Sequence, residues 1–151
     1  MKRKLCMALS ALMMVSGMAG FGIVAGASDG DVTLRYGIWD DNQKAALREI
    51  ADKFEEENPG IKVEIEVTPW KDYWTTLETS ATGGSAPDVF WMNAPHFAMY
   101  AQGGMLASLD DAIGDSEVAS KADFPESLVD MYSDNGVWYG MPKGFDTIAV
   151  Y

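Results

Sequence analysis

The sequence predicts an α/β fold with a mostly parallel β-sheet flanked by helices. Apolar and polar residues alternate along residues 32–38 and again along residues 61–67, which is the two-residue period of half-buried strands. The stretch between them carries apolar residues at helical spacing. A strand–helix–strand crossover of this kind is right-handed and joins parallel strands. Hydrophobic residues make up 48% of the chain, which is ample for a globular core.

The helix between these two strands has clear start and stop signals. Asp40, Asp41 and Asn42 follow the first strand and can cap the helix N-terminus. The Asn-Pro-Gly sequence at 58–60 ends the helix. The acidic residues at 55–57 lie at the unfavourable end of the helix dipole, so we expect them to form only a solvated surface. The predicted inner face consists of Ala46, Leu47, Ile50, Ala51 and Phe54.

Two more helices and a third strand are predicted next. One helix begins after Pro69 and ends at Gly83 and Gly84. Its apolar residues at helical spacing are Trp70, Tyr73, Trp74 and Leu77. Residues 89–92 are a short apolar run and form the third strand. Residues 95–102 form a short helix. Its inner face is predicted to consist of Phe97, Tyr100 and Ala101.

The last part of the chain has weaker patterns. Residues 110–123 are polar and predict no regular element, whereas Pro125 marks the first turn of a helix. The Asp-Asn-Gly sequence at 134–136 is typical of a hairpin turn and precedes a strand at 137–141. A further strand is predicted from 145 to 151. Because this last run is apolar and β-branched rather than polar, we expect the sequence to be a fragment of a longer chain.

Residues 1–27 have the organisation of a secretory signal peptide. Basic residues at 2–4 precede an apolar stretch at 5–24, and small residues at 25–27 mark a cleavage site. An uncleaved N-terminal membrane anchor is the alternative, since the apolar run is about long enough to span a bilayer. The predicted mature chain, residues 28–151, is the size of one domain.

Charge and cysteine content exclude several classes of function. Cys6, the one cysteine, leaves with the signal peptide, so the mature chain has no thiol for a disulfide or a cysteine metal site. It keeps 8 basic and 23 acidic residues, a net charge of −15. Such acidity disfavours binding to nucleic acid or to an anionic membrane. With His96 as the single histidine, a metal cluster built on His and Cys is also excluded.

Polar and aromatic side chains follow the first and third predicted strands. Trp39, Asp40 and Asp41 come after the first strand, and Asn93 and His96 come after the third. In open α/β sheets, ligands bind outside the carboxyl ends of strands. We therefore predict a ligand-binding site here, with two alternatives kept open. Asp40 could serve only as a helix cap, and His96 could be a surface or capping histidine.

The remaining aromatic residues divide between the core and the predicted site. Trp70 lies at a strand-to-helix turn and is the best placed to reach the ligand, whereas Tyr73 and Trp74 at helical spacing favour the core. Trp91 lies inside an apolar strand and could belong to either. Asp88 begins that strand at its opposite end, so its predicted role is structural.

Six motifs follow one another along the mature chain. They are LRYGIWD at 34–40, FEEENPGIKV at 54–63, PW at 69–70 with Tyr73, SAPDV at 85–89, YAQGGML at 100–106 and GVWYGMP at 136–142. Each motif alone is common, but their order and spacing are specific. Together they resemble the N-terminal lobe of the extracellular solute-binding proteins of carbohydrate ABC importers, the maltose-binding-like family.

The resemblance implies a type II periplasmic-binding-protein-like fold, of which this chain is the N-terminal lobe, truncated before the second lobe. It implies a monomeric, non-enzymatic receptor without a cofactor, exported to the periplasm or cell surface. Such a receptor holds a mono- or oligosaccharide in an interlobe cleft and delivers it to the permease transmembrane subunits. The resemblance also adds site residues. Trp91 occupies a position that presents an aromatic ring to sugar, and Phe145 and Asp146 face the cleft before a crossing strand.

Two alternative functions remain open. A related receptor could bind a polyamine, a metal or an organophosphate. A secreted glycoside hydrolase would share the export signal, the acidity and the aromatic residues, but it needs two carboxylates across one bond, one of them with a raised pKa. Asp40, Asp41 and Asp146 are the only carboxylates at the predicted site, and none lies in an evidently apolar pocket.

Overall fold

The computed structural model describes residues 32–116 and 119–144. Its main element is a three-stranded parallel sheet in the order β2-β1-β3. The strands are β1 (Val32–Ile38), β2 (Ile61–Val67) and β3 (Val89–Phe90). The predicted parallel α/β arrangement is therefore confirmed.

Strand β1 lies in the centre of the sheet. It pairs with β2 from Val32↔Ile61 to Ile38↔Val67, and with β3 through Tyr36↔Val89 and Gly37↔Phe90. Strand β3 is two residues shorter than predicted, although the Trp91 amide still donates to the Gly37 carbonyl at 3.0 Å. A Cβ at Gly37 would lie 3.0 Å from Cγ of Pro87, so glycine allows the loop before β3 to approach the sheet.

Residues 32–116 and 119–144 contain five α-helices that pack around the sheet or follow it in sequence. They are α1 (Lys44–Glu57), α2 (Trp70–Thr82), α3 (Ala94–Gln102), α4 (Asp110–Gly114) and α5 (Glu126–Met131). Short 3₁₀ turns occupy residues 41–43 and 121–123. Both α4 and the second 3₁₀ turn lie in the polar region for which the sequence predicted no regular element. None of the helices in the described ranges is long and apolar enough to cross a membrane.

The inner face of α1 is narrower than predicted. Ala51 is buried and Leu47 is half-buried, which agrees with the sequence pattern. Ile50, however, is 64% exposed, Phe54 is 39% exposed, and Ala46 is exposed as well. The assignment of these three residues to the inner face was wrong, because α1 rests on the sheet through the strip that contains Leu47 and Ala51.

The core lies between the sheet and helices α2 and α3. Its buried members come from β1, β2, both helices and the segment after β3. They are Ile38, Ile65, Tyr73, Leu77, Trp91 and Tyr100. The predicted inner face of α3, which is Phe97, Tyr100 and Ala101, is fully confirmed. The helix predicted after Pro69 is also confirmed, with Tyr73 and Leu77 buried.

Glu55, near the C-terminus of α1, is more than a solvated surface residue. Its carboxylate accepts hydrogen bonds from the Val63 amide at 2.9 Å, from Nζ of Lys62 at 2.9 Å and from the Arg48 guanidinium. These donors lower the pKa of Glu55 from 4.5 to about 2. Arg48 also donates to the Val63 carbonyl, so α1 side chains occupy both backbone groups of Val63. The expectation for Glu55 was therefore wrong.

A small hairpin follows α5. Strands β4 (Ser133–Asp134) and β5 (Val137–Trp138) are antiparallel and joined by Asn135 and Gly136, which have φ of 51° and 81°. This confirms the predicted turn, because positive φ at both central residues is the hairpin type that Asn-Gly favours. Strand β5 is shorter than the predicted 137–141. Trp138 is completely buried, and its amide donates to Asp110 of α4 at 3.1 Å.

The predicted structural role of Asp88 agrees with its contact. Its carboxylate accepts a hydrogen bond from the Arg35 amide of β1 at 2.8 Å. Several other predictions fall outside the described residues. They are the signal peptide at 1–27, the strand at 145–151, and the site residues Phe145 and Asp146.

Candidate functional site

The candidate site lies at the carboxyl ends of β1 and β3, where ligands bind in open α/β sheets. Trp39 directly follows β1, Trp70 is the first residue of α2, and Trp91 follows β3. These three tryptophans are distant in sequence, but the parallel topology brings their positions together. Trp70 is 51% exposed, Trp39 is half-buried and Trp91 is 7% exposed.

Trp39 is the centre of an aromatic cluster. Its ring centroid lies 5.2 Å from Trp70, 5.2 Å from Tyr73 and 4.9 Å from Trp91, all in edge-to-face arrangements. It lies 5.8 Å from Trp74, which also contacts Trp70 at 5.5 Å. Edge-to-face pairs of this kind each contribute about 0.5–1.5 kcal/mol beyond the area they bury. The cluster therefore holds the three predicted tryptophans in fixed relative orientations.

Tyr73 connects this cluster to the sheet through its hydroxyl group. Its hydroxyl donates to the Trp91 carbonyl at 2.8 Å and lies 3.3 Å from the Gly37 carbonyl. Burial raises the pKa of Tyr73 well above its usual value, so the hydroxyl remains a donor. One side chain from α2 therefore links the carboxyl ends of β1 and β3. The sequence predicted Tyr73 as a core residue but not this hydrogen bond.

Trp91 is held at its polar edge by a residue of the sheet. Its Nε1 donates to the hydroxyl of Tyr36 at 2.8 Å. The ring also makes a cation–π contact, because Nζ of Lys143 lies 4.1 Å from the ring centroid. Lys143 donates to Oε1 of Gln43 at 2.7 Å. Sequence reasoning missed Lys143, although it lies two residues before the predicted site residue Phe145.

Asp40 has the capping role that was kept open for it. Its carboxylate accepts from Nε2 of Gln43 at 3.0 Å, from the Asn42 amide at 3.0 Å and from Nδ2 of Asn42 at 2.9 Å. The hydrogen bond from Gln43 is the largest cause that lowers the pKa of Asp40, followed by the two from Asn42. Asp40 is therefore an ionised, oriented carboxylate beside Trp39. Asp41 is exposed in the first turn.

Asn93 and His96 form a second polar unit beside the aromatic cluster. Oδ1 of Asn93 caps α3 by accepting from the His96 amide at 3.2 Å, and it lies 2.7 Å from Nδ1 of His96. Since Oδ1 is an acceptor, His96 carries its proton on Nδ1 in this contact. The His96 ring stacks on Trp74 with 3.7 Å between centroids and 2° between planes. Trp74 thus connects His96 to the cluster.

The site combines aromatic faces with hydrogen-bonding groups. Seven of the nine predicted site residues are described, and all seven lie at this end of the sheet. They are Trp39, Asp40, Asp41, Trp70, Trp91, Asn93 and His96. Over residues 32–116 and 119–144, no three His, Cys, Asp or Glu side chains come together in a way that could hold a metal ion. Whether these residues contact a ligand stays a prediction.

Known proteins resemble this chain in both sequence and fold. A lipoprotein of Streptomyces antibioticus, described as uncharacterized and encoded in the oleD 5′ region, is 35% identical over 111 residues, which is 72% of this chain and 24% of that protein. An ABC substrate-binding protein from Listeria monocytogenes, solved in complex with cycloalternan, is 33% identical with a TM-score of 0.67. That match covers 74% of this chain and 28% of the other.

UspC of M. tuberculosis is 31% identical with a TM-score of 0.64, covering 74% of this chain and 26% of that one. The chain thus spans about a quarter of the length of these relatives. Its architecture is that of part of a type II periplasmic-binding-protein-like fold. The family model described as bacterial extracellular solute-binding protein matches residues 39–151. The chain belongs to this family of extracellular solute-binding proteins.

Proposed function

We propose that this chain is part of the substrate-binding component of an ABC importer, and that its ligand is a mono- or oligosaccharide. The observation that carries the proposal is the aromatic cluster around Trp39, with Asp40 next to Trp39 in the chain and with the Asn93–His96 pair stacked on the cluster through Trp74. A sugar ring has apolar C–H faces and a rim of hydroxyl groups. Aromatic rings bury the faces, and carboxylate, amide and imidazole groups hydrogen-bond the rim.

Part of the aromatic cluster is exposed to solvent, which supports a ligand-binding role in addition to core packing. Trp70 packs against Trp39 at 5.2 Å but leaves 51% of its surface open. A ring that is oriented by its neighbours and still exposed loses little freedom when a ligand stacks on it. Membership in the solute-binding family and the similarity to a Listeria protein solved with cycloalternan support the same assignment.

The proposed mechanism requires binding and closure but no bond chemistry. Residues 28–151 would form one α/β lobe after removal of a signal peptide at 1–27, and a second lobe would complete the ligand cleft. Closure around the sugar would present both lobes to the permease subunits of the importer. The protein would act as a monomer outside the cytoplasmic membrane, in the periplasm or at the cell surface.

Calorimetry of the full-length, two-lobed protein across a panel of mono- and oligosaccharides tests this function. Trp70→Ala should abolish or strongly weaken binding, since it removes the exposed ring of the cluster. Phe54→Ala is the matched control, because Phe54 is also an exposed aromatic residue but lies on α1. Absence of heat with every sugar would contradict the assignment and favour a non-sugar solute. Hydrolysis of an oligosaccharide would favour the glycoside hydrolase alternative instead.

A further inference from the structure

A lysine covers part of the candidate site. Nζ of Lys143 lies 4.1 Å from the centroid of the Trp91 ring and donates to Oε1 of Gln43 at 2.7 Å. Gln43 lies in the 3₁₀ turn that follows β1, and Trp91 follows β3. One side chain from the segment after the hairpin therefore reaches the ends of two strands.

The ammonium group occupies an aromatic surface that is otherwise suited to a ligand. Trp91 has its Nε1 directed to Tyr36 and its ring packed edge-to-face with Trp39. Trp91 is only 7% exposed, whereas Lys143 is itself exposed. The lysine thus lies between the Trp91 ring and solvent.

The interactions that hold Lys143 can be replaced by those of a ligand. In the described part of the chain, its ammonium has no carboxylate within salt-bridge distance. Asp40 interacts with it from farther away and is already engaged by Gln43 and Asn42. One hydrogen bond to a neutral amide oxygen and one cation–π contact hold the ammonium without a salt bridge, so a ligand that replaces both contacts can displace it.

We propose that Lys143 is a displaceable occupant of the Trp91 face, which covers this ring in the free protein and leaves it when a ligand stacks there. The proposal rests on the function proposed above and describes how that site is regulated. It favours a ligand that replaces both contacts of the lysine. Such a ligand has an apolar ring face for Trp91 and an adjacent hydroxyl that donates to Oε1 of Gln43, a combination that a neutral pyranose offers.

Lysine-selective NMR on the free chain tests the contact itself. The ε-methylene protons of a lysine above an indole face are shielded by the ring current, so one signal should lie upfield and should disappear in Lys143→Arg. Lys121 lies 5.6 Å from the Trp138 centroid and provides an internal reference that is remote from β1 and β3. Absence of an upfield Lys143 signal would overturn the proposal, whether or not any sugar binds.

Titration with maltose and, separately, with tetramethylammonium chloride tests displacement. Tetramethylammonium competes for aromatic faces as a cation and does not depend on sugar recognition. Each probe that binds should return the Lys143 signal toward its unshielded position, while the Lys121 signal stays in place. If maltose does not bind, tetramethylammonium alone decides the question of displacement. A Lys143 signal that neither probe moves would overturn the proposal.

The variant Lys143→Met tests the energetic consequence. Because no ammonium then competes for the ring, maltose should bind about two- to fivefold more tightly, the factor that corresponds to an exposed cation–π contact. Lys53→Met on α1 removes the same charge from an exposed position and should leave the affinity unchanged. Unchanged or weaker binding by Lys143→Met would show that Lys143 does not compete with the ligand, and would overturn the proposal.

Discussion

Replacing Tyr73 by phenylalanine should destabilise the end of the sheet that carries the candidate site. The substitution removes one oxygen and keeps the buried ring, so the packing against Trp39 is retained. What is lost is the hydrogen bond from the hydroxyl to the Trp91 carbonyl, at 2.8 Å, together with the longer contact to the Gly37 carbonyl, at 3.3 Å.

The expected loss in free energy of unfolding depends on which carbonyl oxygen loses its hydrogen-bond donor. The Gly37 carbonyl still accepts from the Trp91 amide at 3.0 Å, so only the Trp91 carbonyl is left unsatisfied. Leaving one buried polar group unpaired costs about 1–3 kcal/mol, and a single orphaned carbonyl corresponds to the lower half of this range. A loss of about 1 kcal/mol lowers the Tm of a domain this size by roughly 4 °C or more.

Thermal unfolding followed by circular dichroism measures the effect, and Tyr100 offers a matched control. Tyr100 is also a buried tyrosine of the core, but its hydroxyl has no hydrogen-bond partner among the described residues. Tyr100→Phe should therefore leave the Tm unchanged or raise it, since it removes an unsatisfied polar atom. A Tm for Tyr73→Phe equal to that of the unaltered chain, or equal losses in both variants, would refute this reasoning.

Two further predictions concern acid stability and turn geometry. Glu55 has its pKa lowered from 4.5 to about 2, chiefly by the Val63 amide and then by Lys62, so its stabilising effect is complete above about pH 4.5 and is lost as the pH falls towards 2. Glu55→Gln should flatten this part of a pH–Tm profile, and a profile of unchanged slope would contradict the prediction. Gly136→Ala should lower the free energy of unfolding in urea by about 1 kcal/mol, because φ is 81° while no atom of the described residues lies within 4 Å of an added Cβ. Gly114→Ala, at an open position without positive φ, should show no loss, and equal losses would argue against backbone strain.

The helices show where the spacing of apolar residues is enough to predict which side chains are buried. In α2 and α3, helical spacing correctly identified Tyr73, Leu77, Phe97 and Tyr100 as buried, although Trp70 at the start of α2 is 51% exposed. In α1 the apolar residues spread over more of the helix surface than the sheet covers. Periodicity cannot tell which part of such a surface is packed, and Ile50 is exposed for this reason.

Long-range polar contacts were beyond local pattern analysis. Helix α4 lies in a polar stretch, and Asp110 at its start contacts Lys121 and the Trp138 amide. In the candidate site, topology placed Trp39 and Trp91 together, because the carboxyl ends of parallel strands share one side of the sheet. Lys143 could not be found in this way. Its partner Gln43 is 100 positions away, and an isolated lysine in a sequence gives no sign that it covers an aromatic ring.

The contacts of Val63 have a consequence for how this sheet can meet other chains. An outer strand with free backbone groups is a template on which a strand from another molecule can add, which is a common route to aggregation. Val63 lies in the middle of β2, and its outward amide and carbonyl are already bonded to Glu55 and Arg48. A foreign strand therefore cannot form a continuous ladder along β2. Among the described strands, β2 is therefore protected at its midpoint against the addition of a foreign strand.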